Sequence, residues 1–120
     1  MKILIDTSVW INHLRKPDSE IERLLAEDRV VTHPFILGEL ALGSTKAFGD
    51  VEGFFRPFDR VSLATSKEMF TFIKKNELSG TGIGLVDAYL LAGCLIDGGT
   101  KLLTADKKLA KIAHRLGVGH

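Results

Sequence analysis

The run Ile3-Leu4-Ile5 stops at a single acid, Asp6, and near the other end of the chain Lys101-Leu102-Leu103-Thr104 is followed just as closely by Asp106. Short, unalternating apolar runs read as strands buried on both faces, the kind found in parallel sheets with helices packed on each side. Parallel neighbours cannot be joined by a tight turn, so helices have to lie between them. In open parallel sheets ligands bind beyond the carboxyl ends of the strands, which is where Asp6 and Asp106 are expected.

The rest of the chain supplies the alternation. Val9 to Leu14 reads as a helix ending near Pro17, and Ile21, Leu24 and Leu25 mark one apolar face of a second. Arg29-Val30-Val31-Thr32 reads as a strand. Pro34 suits the first position of the next helix, which runs to about Gly43, because its missing N–H is unpaired there in any case. Further helices are expected over Lys46 to Phe55 and Ser66 to Glu77, the latter with Met69, Phe70 and Ile73 facing inward. Between them Asp59 to Leu63 is a weaker strand. A glycine-rich connection, Ser79 to Gly84, leads into a helix from Leu85 to Asp97 that stops at Gly98-Gly99, and Lys107 to Leu116 is the last helix. The expected class is α/β, one domain over residues 1–120, with about four strands in a parallel sheet covered on both faces.

Two more acids stand out by their surroundings. Glu39 is the only charge in Pro34-Phe35-Ile36-Leu37-Gly38-Glu39-Leu40-Ala41-Leu42, and Asp87 the only one from Leu85 to Ile96. A helix apolar all round is expected to be buried, and a buried carboxylate must be protonated, paired with a cation or bound to a metal. Each acid also has a plainer role open to it. Asp6 and Asp106 can cap the helices that follow them, Asp87 suits the first turn of its helix, and Glu39 can pair with an arginine.

Taken together, Asp6, Glu39, Asp87 and Asp106 offer oxygen donors with no histidine or cysteine cluster, which favours a hard cation, Mg²⁺ or Mn²⁺. His13, His33, His114 and His120 are scattered and are expected to be surface or capping residues. Such a cation lowers the pKa of water and neutralises phosphodiester charge, so metal-activated water is the expected attacker. The residues themselves therefore point to divalent-metal phosphodiester chemistry.

Net charge does not exclude a nucleic-acid substrate. Sixteen basic and fifteen acidic residues give +1, but with four acids confined to one site the remainder is sixteen against eleven, or +5. Lys2, Arg15, Lys16, Lys46, Arg56, Arg60, Lys107, Lys108 and Lys111 are candidate phosphate contacts. Arg15, Lys16, Lys107 and Lys108 are favoured because they follow the two strand-end acids closely. Trp10 and Phe54-Phe55 read as core or dimer contacts rather than base-stacking platforms. One cysteine, Cys94, forms no internal disulfide; no run approaches membrane-spanning length, and the N-terminal apolar run is too short for a signal peptide, so a cytoplasmic protein without a membrane role is expected.

The chain resembles the PIN-domain family, most closely the VapC-type toxins of toxin–antitoxin pairs. The resemblance is carried by Ile5-Asp6-Thr7-Ser8-Val9-Trp10-Ile11, by His33-Pro34 through Gly38-Glu39 to Gly43, by Gly84-Leu85-Val86-Asp87-Ala88-Tyr89, and by Leu103-Thr104-Ala105-Asp106-Lys107-Lys108-Leu109. It implies a three-layer α/β/α sandwich and metal-dependent endonucleolytic cleavage of RNA. It also implies Asp6 and Asp87 as the surest metal ligands, with Glu39 and Asp106 completing the site or acting through water, and Thr7 and Thr104 as supporting hydroxyls. A VapB-type antitoxin partner and a homodimer are further implications. The rival within the family is a non-catalytic RNA-binding or adaptor PIN domain, though all four acids are kept here. Outside it, a receiver domain would need a second acid beside Asp6, where Thr7-Ser8 stands, and a haloacid-dehalogenase-like phosphatase would need an Asp in place of Ser8.

Overall fold

The computed structural model describes residues 1–43 and 49–120. In chain order the elements are β1 (Lys2–Ile5), α1 (Thr7–Arg15), α2 (Ser19–Ala26), β2 (Val30–Val31), α3 (Pro34–Leu42), α4 (Val51–Phe55), α5 (Ser66–Lys75), α6 (Leu85–Asp97), β3 (Thr100–Leu103) and α7 (Lys107–Arg115). The three strands form a parallel sheet in the order β2-β1-β3.

β1 is the central strand, and that explains its composition. Successive strand residues face opposite sides of the sheet. Ile3, Leu4 and Ile5 are nevertheless all fully buried, so helices cover both faces and the fold is an α/β sandwich. Leu24, Ile36, Leu90, Leu91 and Leu109 bring apolar side chains from α2, α3, α6 and α7 into the same core. At Gly93 the backbone of α6 lies so close to the segment after α4 that an added Cβ would stand 2.9 Å from the Ser62 carbonyl oxygen.

The expected fourth strand is present only as a single bridge. Thr32 pairs with Arg60, through Thr32 N–H to the Asp59 carbonyl at 2.9 Å and Val61 N–H to the Thr32 carbonyl at 2.8 Å. β2 ends at Val31 and α3 already begins at Pro34, so the chain beyond Thr32 turns into a helix instead of extending the pairing with the Asp59–Leu63 segment. On the opposite edge the C-terminal tail pairs with β3, Leu102 N–H donating to the Val118 carbonyl at 2.7 Å and His120 N–H to the Leu102 carbonyl at 3.1 Å. That contact was not expected from the sequence.

Three other expectations need correction. Phe70 is 74% exposed, because α5 turns Met69 inward and packs Phe72 and Ile73 beside it, leaving Phe70 at the rim of that face. α3 is not buried all round: only Ile36 and Leu40, one turn apart, are fully covered, while Glu39 is exposed and Leu42 is 90% exposed. His33 is a capping residue, as expected, but no surface one. It is fully buried, its Nδ1 accepting the Phe35 N–H at 3.0 Å at the start of α3. Of the helix expected over Lys46 to Phe55, α4 supplies Val51–Phe55, and 46–48 lie outside the described residues. Trp10 packs edge-on against Phe55 with ring centroids 5.1 Å apart, which makes both core residues.

Candidate active site

The sheet register builds the first part of the site. Ile5 of β1 stands opposite Leu103 of β3, and Asp6 N–H donates to the Leu103 carbonyl at 2.9 Å. Asp6 and Thr104 therefore leave the same edge of the sheet side by side. The Thr104 hydroxyl donates to Asp6 Oδ2 at 2.7 Å and accepts the Asp106 N–H at 3.1 Å. Asp6 Oδ1 accepts the Thr7 N–H at 2.7 Å as the cap of α1. The Thr7 hydroxyl turns the other way, donating to Glu39 Oε1 at 2.7 Å on α3.

Asp106 caps α7, its Oδ1 accepting from the N–H groups of Lys108 at 2.9 Å and Leu109 at 3.1 Å. Asp87, in the first turn of α6, accepts the Gly84 N–H on Oδ2 at 3.2 Å. All four acids line one open cleft of about 460 Å³, together with Thr7, Ser8, Ile11 and Ala105. Capping and lining the cleft are thus not alternatives. Asp106 meets its two amides with Oδ1 alone, and Asp87 meets Gly84 with Oδ2 alone, so one oxygen of each is left for another task.

The electrostatics match a cation site. Among the described residues the ion pairs are Arg23–Glu27, Arg29–Glu27 and His120–Glu20, so none of the four acids has a cationic partner. The arginine pairing open to Glu39 on sequence grounds is not made. Burial pushes the Asp87 carboxyl above its ordinary range; the Gly84 amide opposes this, and the charges of Asp6, Asp106 and Glu39 add to it. Asp6 is only 8% exposed and takes two hydrogen bonds. The donors are all oxygen, which suits a hard divalent ion such as Mg²⁺ or Mn²⁺. As they stand, no three His, Cys, Asp or Glu side chains among the described residues are gathered to hold one.

The basic residues divide. Lys107 and Lys108 open α7 beside Asp106. Arg15 and Lys16 lie at the far end of α1, about 13 Å along the helix axis from Asp6 at 1.5 Å per residue. Closeness in sequence to a strand-end acid did not bring them to the cleft, because a helix intervenes. Lys2 is committed at the other end of β1, its ammonium donating to the Asp28 carbonyl at 2.9 Å, and Lys46 lies outside the described residues. Ser8, Ile11 and Ala105 also line the cleft; they lie within the motifs around Asp6 and Asp106 but were not singled out as site residues. A larger cleft of about 620 Å³ between α5 and α6 contains one carboxylate, Glu68, whose Oε1 already accepts the Thr65 N–H, and so lacks comparable chemistry.

A family profile described as PIN domain matches residues 3–115. Two relatives, each named Ribonuclease VapC32 and coming from the CDC 1551 / Oshkosh and ATCC 25618 / H37Rv strains of Mycobacterium tuberculosis, are 39% identical to the chain over 116 residues. The match covers 97% of this chain and 94% of each relative.

Proposed function

The chain belongs to the PIN-domain family, and on that footing we propose that it is a VapC-type endoribonuclease, the toxin of a toxin–antitoxin pair, hydrolysing RNA phosphodiester bonds at the Asp6–Glu39–Asp87–Asp106 cleft. The observation that carries this reading is four carboxylates from four separate elements lining one cleft with no protein cation to balance them.

Asp6 and Asp87 would hold a divalent ion, Mg²⁺ with Mn²⁺ able to substitute, and Glu39 and Asp106 would complete the set. Such an ion supplies a lowered water pKa and neutralises phosphodiester charge in the transition state. The chain's own residues do the rest. Thr104 fixes Asp6 Oδ2 and Thr7 fixes Glu39 Oε1, so each carboxylate presents a set orientation rather than a rotating one. The amides opening α7 hold Asp106 by one oxygen, and Gly84 holds Asp87 by one oxygen.

The whole of residues 1–120 acts as one domain in this reading, in the cytoplasm; no helix among the described residues is long and apolar enough to cross a membrane. RNA is the substrate and a VapB-type antitoxin the partner, with a homodimer as the assembly. The exposed apolar side chains of Ile11 and Leu14 on α1, Leu42 on α3 and Phe54 on α4 support a protein-binding surface.

The test is end-mapped cleavage of total cellular RNA with Mg²⁺ or Mn²⁺ and with chelator, using Asp6→Asn as the contamination control. Discrete new ends that need both the metal and Asp6 are expected. No cleavage by folded, antitoxin-free protein would favour a binding module instead.

A further inference from the structure

We infer that the Ser8 hydroxyl is the cleft's hydrogen-bond donor to a non-bridging oxygen of the RNA phosphodiester. The inference rests on the ribonuclease reading and adds to it a substrate-binding residue outside the four acids and the two threonines.

Ser8 is the second residue of α1, and Thr7, Ser8 and Ile11 line the cleft together. Residues three and four apart share one side of a helix, so these form a single face of α1 turned to the acids. The rest of the lining is the four carboxylates and the apolar Ala105. Ionised carboxylates only accept hydrogen bonds, whereas hydroxyls donate as well. The Thr7 hydroxyl is already committed to Glu39 Oε1 at 2.7 Å. Ser8 is exposed, and its hydroxyl has no hydrogen-bond partner among the described residues. It is therefore the one uncommitted side-chain donor among the described residues that line the cleft.

Local structure does not call for a serine at this position. Asp6 caps α1, its Oδ1 accepting the Thr7 N–H at 2.7 Å, so the cap makes no use of the Ser8 side chain. Serine is also a poorer helix former than alanine. The chemistry selects the group that Ser8 meets. A ribose 2′-OH or a base amino group donates to any of the four carboxylates and has no need of a hydroxyl. A phosphodiester oxygen only accepts, and of the lining side chains Ser8 alone is free to bond it. A hydrogen bond to such an ionised acceptor is roughly twice as strong as a neutral one.

The experiment has three arms, each on the full chain. The first maps cleavage of total cellular RNA with Mg²⁺. Ser8→Ala is expected to cut at the wild-type ends about 10-fold or more slowly, the loss of one hydrogen bond to a charged group. Ser8→Thr keeps the hydroxyl and should recover most of the rate. Ser66→Ala, which removes an exposed serine from the first turn of α5, should match wild type. Melting temperature and Mg²⁺ affinity by titration calorimetry should be unchanged in Ser8→Ala, because Ser8 holds none of the acids. In the second arm the mapped site is placed in a short RNA with one phosphorothioate at the cut linkage, as separated Rp and Sp forms. Sulfur is the poorer acceptor, so in one form the oxygen-to-sulfur rate ratio should shrink several-fold from wild type to Ser8→Ala. The third arm measures binding of a fluorescein-labelled single-stranded RNA of mixed sequence by anisotropy, with Ca²⁺ replacing Mg²⁺ and the RNA verified as intact. Ser8→Ala should bind it several-fold more weakly.

Cleavage at the wild-type rate by Ser8→Ala, an equal loss of metal affinity and rate, or unchanged oxygen-to-sulfur ratios in both forms overturns the assignment. Wild-type protein that binds the RNA but cuts none overturns the ribonuclease reading, and equal binding by Ser8→Ala then overturns the assignment as well. Folded protein that neither binds nor cuts RNA overturns both.

Discussion

The Thr104 hydroxyl joins Asp6 to the Asp106 backbone, and Thr7 joins Asp6 to Glu39 by its N–H to the one and its hydroxyl to the other, whereas among the described residues Asp87 is bonded to Gly84 at the start of its own helix. The joined acids have their orientations set by neighbours across the sheet edge. Burial pushes the Asp87 carboxyl up, and the charges of the other three add to that. One wall of the cleft is preorganised and the other is charged against its surroundings. A divalent ion would relieve Asp87 most, so that residue should couple metal most tightly to stability and activity.

Asp87→Asn tests the contrast most severely. The change is nearly isosteric, so the fold should hold while metal-dependent RNA cleavage falls by more than about 100-fold, beyond the 10–100-fold typical of losing a ligand's supporting partner. Cleavage at the wild-type rate by the folded variant would remove Asp87 from the mechanism. Without metal the variant should melt higher than wild type at neutral pH. Because the folded state raises the Asp87 pKa, its stabilising contribution is present in acid and is lost as pH rises through the raised value. The advantage of Asn should accordingly vanish at low pH.

Thr104→Val attacks the preorganised wall. It removes the donor to Asp6 Oδ2 and the acceptor of the Asp106 N–H. Metal affinity, read by titration calorimetry, should fall about 10–100-fold, with roughly 1–2 kcal/mol of stability lost. Thr7→Val should act in the same direction but less, since its bond to Glu39 lies in solvent. Equal effects of Thr104→Val and Asp87→Asn would erase the distinction between the walls.

Acid should loosen α3 on the preorganised side. His33 is fully buried, and burial lowers its pKa to about 4 from the ordinary 6.5. Its Nδ1 is the acceptor that caps the helix bearing Glu39, so the proton of the neutral ring sits on Nε2. Neutral His33 contributes stability that is present above about pH 6.5 and lost as pH falls through about 4, of order 3 kcal/mol. Denaturant unfolding across that range should show the loss, and His33→Asn, which keeps a capping oxygen, should flatten it.

The smallest effect is expected for Glu39→Gln. With Glu39 exposed and unpaired among the described residues, metal-free stability should change by no more than about 0.5 kcal/mol. A loss of several kcal/mol would reveal a cationic partner for Glu39 and make it part of a structural pair.

Much of the fold was legible because its signals are local. The helix Leu85–Asp97 is found between the limits set by Gly84 and Gly98-Gly99, and Pro34 does open α3. All four acids were legible as anomalies: charges ending apolar strands or interrupting apolar helices. The misreadings share a cause, which is inferring environment from neighbours in sequence. Leu42 and Glu39 were expected to be buried because α3 is apolar, yet the helix presents only a narrow stripe to the core. Arg15 and Lys16 were favoured for following Asp6, and α1 carries them to its far end.

Sequence alone determined which residues hold charge without local reason to, and that strands and helices alternate, because strand burial, helix capping and chain breaks depend on a few adjacent residues. Only the tertiary structure decided that Ile5 stands opposite Leu103, so that Asp6 meets Thr104, and that Thr7 reaches Glu39. Strand register and helix placement come from packing the core as a whole, and contacts across 98 residues of chain have no local signature.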